Sequence, residues 1–195
     1  MKILFVDFDG TLTSDRYWRS LTKEKNDIVQ RVFFGEDKTI VGEWMRGGYT
    51  AEEVNKIVAK ALNMSYEKVW EIFVSDCQTI KISDELLRSL ASLMQKYRTV
   101  LITGNMDSFT RFTIPALSLD EHFHHISNSF YEEIHKTDND GELFSRWSEK
   151  LGIPLIDSIL IDDQSKCCKI FERLGGMAYK TSSPEETERI LKSLL

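Results

Sequence analysis

Short unbroken apolar stretches recur along the chain at wide intervals. Ile3-Leu4-Phe5-Val6 is stopped by Asp7-Phe8-Asp9-Gly10, Thr99-Val100-Leu101-Ile102 by Thr103-Gly104-Asn105, and Ser158-Ile159-Leu160-Ile161 by Asp162-Asp163. A shorter run, Met177-Ala178-Tyr179, follows the Gly175-Gly176 break. Continuous rather than alternating hydrophobicity predicts strands buried on both faces, as in a parallel sheet. Helical patterns separate them. Ser83 is a candidate cap for a helix that aligns Leu86, Leu87, Leu90, Leu93 and Met94. A second helix is predicted over 139–150, with Leu143, Phe144, Trp147 and Leu151 at helical spacing. Ser183-Pro184 with Glu186 reads as a capped helix start ahead of Ile190, Leu191 and Leu194. Strands alternating with helices predict an α/β fold, a doubly wound Rossmann-like parallel sheet.

One interval does not suit a plain sheet. The distance from Asp7 to Thr103 far exceeds the roughly 30 residues of a simple crossover unit. The surplus reads as helix throughout. Thr50-x-x-Glu53 is a capping box before Val54, Ile57, Val58, Ala61 and Leu62, and Ser65 opens another helix with Val69, Ile72 and Phe73 on one side. Residues 15–82 are therefore read as an inserted all-helical module, and 1–14 with 83–195 as the α/β core.

Composition changes this picture little. Hydrophobic residues make up 42% and charged residues 29% of the 195, as in an ordinary globular protein. A formal net charge of −6 argues against a nucleic-acid partner, which needs clustered Lys and Arg. No apolar run is long enough to span a bilayer. The chain reaches Asp7 at once, with no secretory apolar segment, so a cytoplasmic location is expected. The three cysteines, two of them adjacent (Cys167, Cys168), form neither a disulfide framework nor a CxxC pair and are read as reduced thiols.

The polar residues that end the strands carry the chemistry. Ligands of open parallel sheets bind beyond the carboxyl ends of the strands. Asp7 and Asp9, Thr103 and Asn105, and Asp162 and Asp163 would meet at that edge. Four carboxylates packed together repel one another unless a cation lies among them, and oxygen ligands favour a hard ion such as Mg²⁺.

The segment Asp7-Phe8-Asp9-Gly10-Thr11-Leu12-Thr13 directly after an apolar strand resembles the opening signature of the haloacid dehalogenase-like (HAD) hydrolases. Thr103, Lys136 and Asp162-Asp163 look like that family's second, third and fourth motifs, in order. Lys136 and Asp162 are separated by room for one helix and one strand. The module at 15–82 resembles the family's helical cap, so the resemblance spans nearly the whole chain. It implies that Asp7 is the nucleophile and that Asp9 is the general acid and base. It also implies that Thr103, the amides near Gly104 and Asn105, and Lys136 bind the phosphoryl group. Mg²⁺ would be held by Asp7, the Asp9 main-chain carbonyl and Asp163, with Asp162 behind them. Asp9 favours phosphate esters over carbon–halogen bonds, because the family's true dehalogenases lack that second carboxylate. Phe8, where the ATPase branch has Lys, argues against that branch. The expected function is a Mg²⁺-dependent phosphatase of a small phosphorylated metabolite. The alternatives are a phosphosugar mutase of the same family, or a phospho-acceptor signalling or non-catalytic binding domain.

Two departures stand out. Thr137 follows Lys136 where many relatives have Pro, which leaves Lys150 as a rival. No acid follows Asp163 within Gln164-Ser165-Lys166-Cys167-Cys168.

Other polar groups are read more plainly. His122, His124 and His125 suggest a polar strand entry, with His122 and His124 on one face, rather than a metal site. Asp138-Asn139-Asp140-Gly141 reads as a turn capping the next helix. Tyr17 and Trp18 are read as packing, and Arg16, Arg19 and Arg46 as solvated. Lys23, Lys25 and Lys38 are read as solvated helix lysines rather than Schiff-base formers. His135 could touch substrate.

Overall fold

The computed structural model describes residues 1–35 and 38–195. Five parallel strands form one sheet in the order β3-β2-β1-β4-β5. They are β1 (Lys2–Val6), β2 (Tyr97–Thr103), β3 (His125–Asn128), β4 (Ile159–Asp162) and β5 (Met177–Lys180). Helices α1 (Lys23–Phe34), α2 (Thr39–Trp44), α3 (Ala51–Leu62) and α4 (Tyr66–Gln78) lie between β1 and β2, followed by α5 (Asp84–Leu93). A π-turn segment at Phe109–Thr113 runs into α6 (Ile114–Leu117), and α7 (Ser129–Glu132) follows β3 directly. The chain closes with α8 (Glu142–Leu151), α9 (Ser165–Arg173) and α10 (Pro184–Leu194) around the last two strands.

Strand periodicity explains the layers. Leu4, Val6, Leu101, Ile159 and Ile161 face α5 and α10, where they meet Leu86, Leu90, Leu93 and Leu191. The alternate residues Ile3, Phe5, Val100, Ile102 and Leu160 face α8 and α9, against Phe144, Trp147 and Phe171. Both faces are thus covered, which is why the strands read as unbroken apolar runs. Helices α1–α4 build a third cluster around Trp18, Trp44, Val54, Val58 and Phe73. Among the described residues of this stretch there is no strand.

The caps act largely as the sequence predicts. Ser83 and Ser65 accept from the amides of Leu86 and Lys68, and Thr50 and Glu53 form a reciprocal box. At α10 the box is displaced: Ser183 accepts from the Glu186 amide, but the Glu186 carboxylate takes the amide of Ser182 at 2.8 Å.

Two expectations need correction. The 138–141 turn does precede α8, with Gly141 at the cap (φ 87°, no side-chain bond), but α8 starts at Glu142 rather than 139. Left-handed Asn139 and Asp140 (φ 47° and 52°) keep the preceding turn separate. His122 and His124 lie before β3, not on it; β3 begins at His125. Strand β3 escapes pattern reading because it is a short edge strand with buried Ser127 and Asn128 and little apolar content.

Asp107, just past β2, docks the helical module. It is 3% exposed and accepts from Trp44 Nε1 (2.7 Å), the Ala51 amide at the start of α3 (3.2 Å) and Arg111 (2.8 Å). Arg111 also reaches Glu52 on α3.

Candidate active site

The first site residue sits where β1 ends. Asp7 donates its amide to the Ile161 carbonyl (3.0 Å), which fixes the carboxyl end of β1 beside β4, and its side chain is buried. The chain then turns sharply. The Gly10 amide bonds to the Thr13 carbonyl at 2.8 Å, and Gly10 adopts φ 76°. A Cβ at Gly10 would also lie 2.6 Å from Asp163 Oδ2, so the missing side chain lets β1 and β4 bring their carboxylates together.

Lys136 lies in the loop between α7 and α8 and is 1% exposed. Its Nζ is 2.6 Å from Asp7 Oδ1 and 2.7 Å from Asp162 Oδ2. Burial works against the ammonium, but Asp7 and Asp162 outweigh it and hold its pKa above the ordinary lysine value. Lys150, the rival on α8, lies over the Trp147 ring at 4.2 Å instead. Asp162 spends its other oxygen on the Gln164 amide (2.8 Å). Asp163 Oδ1 is buried without a hydrogen-bond partner. Thr103, at the end of β2, is also buried and its hydroxyl has no partner.

Asp9 faces a different environment. Its Oδ2 accepts from Asn105 Nδ2 (2.8 Å), and Arg16 approaches Oδ1 at 3.5 Å. Asn105 Oδ1 in turn accepts from the Tyr17 hydroxyl (2.7 Å). The Asn105 backbone amide is taken by Ser129 Oγ (3.1 Å), so Asn105 contributes its side chain rather than the amide expected from the sequence. Arg16 and Tyr17 therefore join the site, and Trp18, packed in the helical cluster with Nε1 on Asn55, adds to the wall of the cavity described below. Arg19 braces the Asp76 carbonyl and Thr79, away from the site.

Arg46 is not merely solvated. It pairs with Asp138 through two bonds of 2.9 and 2.8 Å, and Asp138 also accepts the His135 amide. A residue between α2 and α3 thereby grips the loop that carries Lys136. The His135 ring packs so closely on Gly104 that a Cβ there would collide with it. Burial and the Lys136 charge push its pKa down to about 4, so it is neutral near pH 7. The other histidines lie at the amino ends of β2 and β3, away from the carboxyl ends. His124 Nδ1 accepts the Thr99 amide and His125 packs on Trp147. Lys23, Lys25 and Lys38 do not line the cavity described next.

That cavity, of about 350 Å³, opens above Asp9 between the sheet edge and the helical module. Asp9, Gly104, His135 and Gln164 come from the α/β core, and Tyr17, Phe34 and Met45 from the helical side. Sequence reading could not find Asp107, Asp138 or the apolar part of this lining (Phe34, Met45, Met106), because each depends on which helix faces face the core.

Electrostatics define what the site lacks. Burial pushes the Asp7 carboxyl up to about 8, against the pull of Lys136, with Asp162 and Asp9 adding to the rise. Burial raises Asp9 and Asp163 as well. Four carboxylates face two cations, Lys136 and Arg16. Asp7, Asp162 and Asp163 present oxygens within 4.8 Å of one another, a cluster of hard donors of the kind that holds Mg²⁺.

A family model for haloacid dehalogenase-like hydrolases matches residues 1–166. The chain belongs to this family. It is a HAD-like hydrolase with the family's α/β core. Its fold matches that of the HAD family enzyme bt-2542 from Bacteroides thetaiotaomicron, solved with magnesium and inorganic phosphate. The TM-score is 0.76 at 20% identity, over 93% of this chain and 95% of that one. A predicted HAD-like family hydrolase from Porphyromonas gingivalis aligns with TM-score 0.75 at 19% identity, over 100% and 97% of the two chains. The L-2-haloacid dehalogenase from Xanthobacter autotrophicus, with chloropropionic acid covalently bound, aligns with TM-score 0.62 at 13% identity, over 99% and 83%. No curated protein matches the chain in sequence. Among the described residues no helix is long and apolar enough to cross a membrane.

Proposed function

We propose that this HAD-like hydrolase is a Mg²⁺-dependent phosphatase acting on a small phosphorylated metabolite through an aspartyl-phosphate. In this reading residues 15–82 form a cap over a core of 1–14 and 83–195. The observation that carries the reading is the pairing of a buried Asp7 on Lys136 with an Asp9 that opens onto the cavity. Two neighbouring carboxylates in such different surroundings can hold different protonation states, as an acid and a nucleophile require.

An Asp7 oxygen attacks phosphorus, and the bond from phosphorus to the ester oxygen breaks. Asp9, whose recess raises its carboxyl above the usual range, gives its proton to that departing oxygen. Water then attacks the phosphorus of the aspartyl-phosphate and Asp9 takes its proton. Inorganic phosphate leaves and the Asp7 carboxylate is restored. The partnerless Thr103 hydroxyl is available to donate to a phosphoryl oxygen, and Lys136 steadies the charge on Asp7. The amide near Gly104 remains a candidate donor. Asp9 is also the group that favours phosphate esters over carbon–halogen substrates.

The donor set fits Mg²⁺. Asp7, Asp163 and the Asp9 main-chain carbonyl would hold it. Asp162 sits behind them, since both its oxygens already have partners. The ion supplies positive charge that keeps Asp7 ionised and offsets its repulsion of the incoming phosphate.

Stability should show this charge balance. Asp7 has its pKa raised from 3.8 to about 8 on folding, so without a divalent ion its contribution is full below 3.8 and fades as pH rises towards 8. Mg²⁺ is expected to raise Tm more at about pH 8 than at about pH 5.5. Differential scanning fluorimetry with and without Mg²⁺ at each pH checks this, and equal gains would contradict it.

The function itself is tested by phosphate release from p-nitrophenyl phosphate and acetyl phosphate, with Mg²⁺ or EDTA, alongside halide release from 2-chloropropionate. Phosphate release that requires Mg²⁺, without halide release, is the expected result. Halide release alone would overturn the reading.

A further inference from the structure

From the cavity lining we infer that the substrate is a phosphomonoester of a neutral, largely apolar alcohol rather than a sugar phosphate or a bisphosphate. The inference rests on the phosphatase reading and names the substrate class of the same site.

The cavity volume of about 350 Å³ suits a small molecule. Most of the surface that its walls expose is apolar, although several of the side chains carry a polar end. Phe34, Met45 and Met106 contribute apolar surface, and Tyr17 offers its ring because its hydroxyl is already spent on Asn105. Phe34 remains 38% exposed, an aromatic face at the cavity that a ligand would cover. The polar atoms there are few and mostly engaged. His135 is held neutral, and its Nδ1 lies 3.1 Å from Thr137 Oγ1. Arg16 already leans on Asp9. Arg46, which could have met a second anion, is committed to Asp138 by two bonds. What is left is the Gln164 carboxamide, the Gln30 carboxamide, whose Nε2 donates to Asn26 at 3.4 Å, and the Arg16 nitrogens not turned to Asp9.

A sugar brings several hydroxyls, and each one buried here without a partner would cost binding. A second phosphate would find a single cation in the described lining, the half-exposed Arg16, which is already drawn to Asp9 at 3.5 Å. An apolar body would instead leave water for the rings and thioethers, with its phosphate directed at Asp7. Such an ester also carries no second hydroxyl to accept the phosphoryl group, so the outcome is hydrolysis rather than transfer.

The test compares kcat/KM on the full chain with Mg²⁺ for 2-phenylethyl phosphate, glucose 6-phosphate and fructose 1,6-bisphosphate. All three are alkyl esters at a primary carbon, so intrinsic reactivity is similar. Acetyl phosphate, which has almost no body to fill the cavity, reports on the chemical machinery alone. 2-Phenylethyl phosphate is expected to exceed both sugar esters by at least about tenfold. Phe34→Ser and Met45→Gln are expected to lower the ratio of kcat/KM for 2-phenylethyl phosphate to that for acetyl phosphate by at least about fivefold. Equal or better use of glucose 6-phosphate would overturn the apolar assignment while the phosphatase reading stands. An unchanged ratio in both variants would overturn it too. Failure on every ester and on acetyl phosphate as well would remove the phosphatase reading and this inference with it.

Discussion

Asp7→Asn is expected to lower turnover of p-nitrophenyl phosphate by at least about a thousandfold, with Mg²⁺ saturating. The substitution keeps the shape of the side chain at the end of β1 and removes its nucleophilic carboxylate. A carboxamide forms no stable acyl phosphate, so the first chemical step is lost rather than slowed. The fold has little reason to follow. Lys136 retains Asp162 at 2.7 Å, and the Asp7 backbone bond to Ile161 does not involve the side chain. One of four clustered carboxylates also disappears, which relieves repulsion. Circular dichroism and Tm should therefore stay close to wild type while steady-state turnover collapses. An Asp7→Asn protein with near-wild-type turnover would end the assignment of the nucleophile.

Lys136→Met has its largest effect on stability. The ammonium is 1% exposed and lies between two buried carboxylates, Asp7 and Asp162, of which Asp162 is 0% exposed. Removing one member of a buried ion pair leaves a charge that nothing compensates, at a cost of about 3–5 kcal/mol. In a chain of this size that is a fall in Tm on the order of 10 °C. Thermal denaturation in EDTA measures it free of any compensating cation. Adding Asp162→Asn to Lys136→Met should recover a substantial part of the loss, because it deletes one of the stranded charges. A single variant within about 2 °C of wild type would mean that these carboxylates need no counter-charge from Lys136. Activity should fall in both variants, so the Tm comparison separates the structural role from the catalytic one.

Much of this was legible in the linear chain. β1, β2 and β4 announce themselves because a strand covered on both faces has no polar positions to interrupt it. The residues that end those strands, Asp7, Thr103 and Asp162-Asp163, mark the sheet edge for the same reason. Caps at Thr50, Ser65, Ser83 and Ser183 are local, since each serine or threonine meets an amide three residues away. β3 was not legible as an apolar run, because an edge strand of four residues buries too little to leave one. The start of α8 was misplaced because left-handed turn residues, unlike a capping serine, have no fixed sequence signature.

The partners of Arg16, Arg46 and Asp107 belong to another level. A surface arginine and a docking arginine look alike in a sequence. Arg46 finds Asp138 only because the helices between β1 and β2 pack over the loop that carries Lys136. Tyr17 reaches Asp9 through Asn105 for the same reason.

The sequence by itself determined the alternating fold, the helical insertion and the set of carboxylates at one edge, because burial and backbone capping act over a few residues at a time. Only the tertiary structure decided that Lys136 sits between Asp7 and Asp162, that Asp163 keeps an oxygen without a partner, and that apolar side chains wall the cavity. Those outcomes depend on the angles at which whole elements pack, and packing joins residues that the chain order keeps apart.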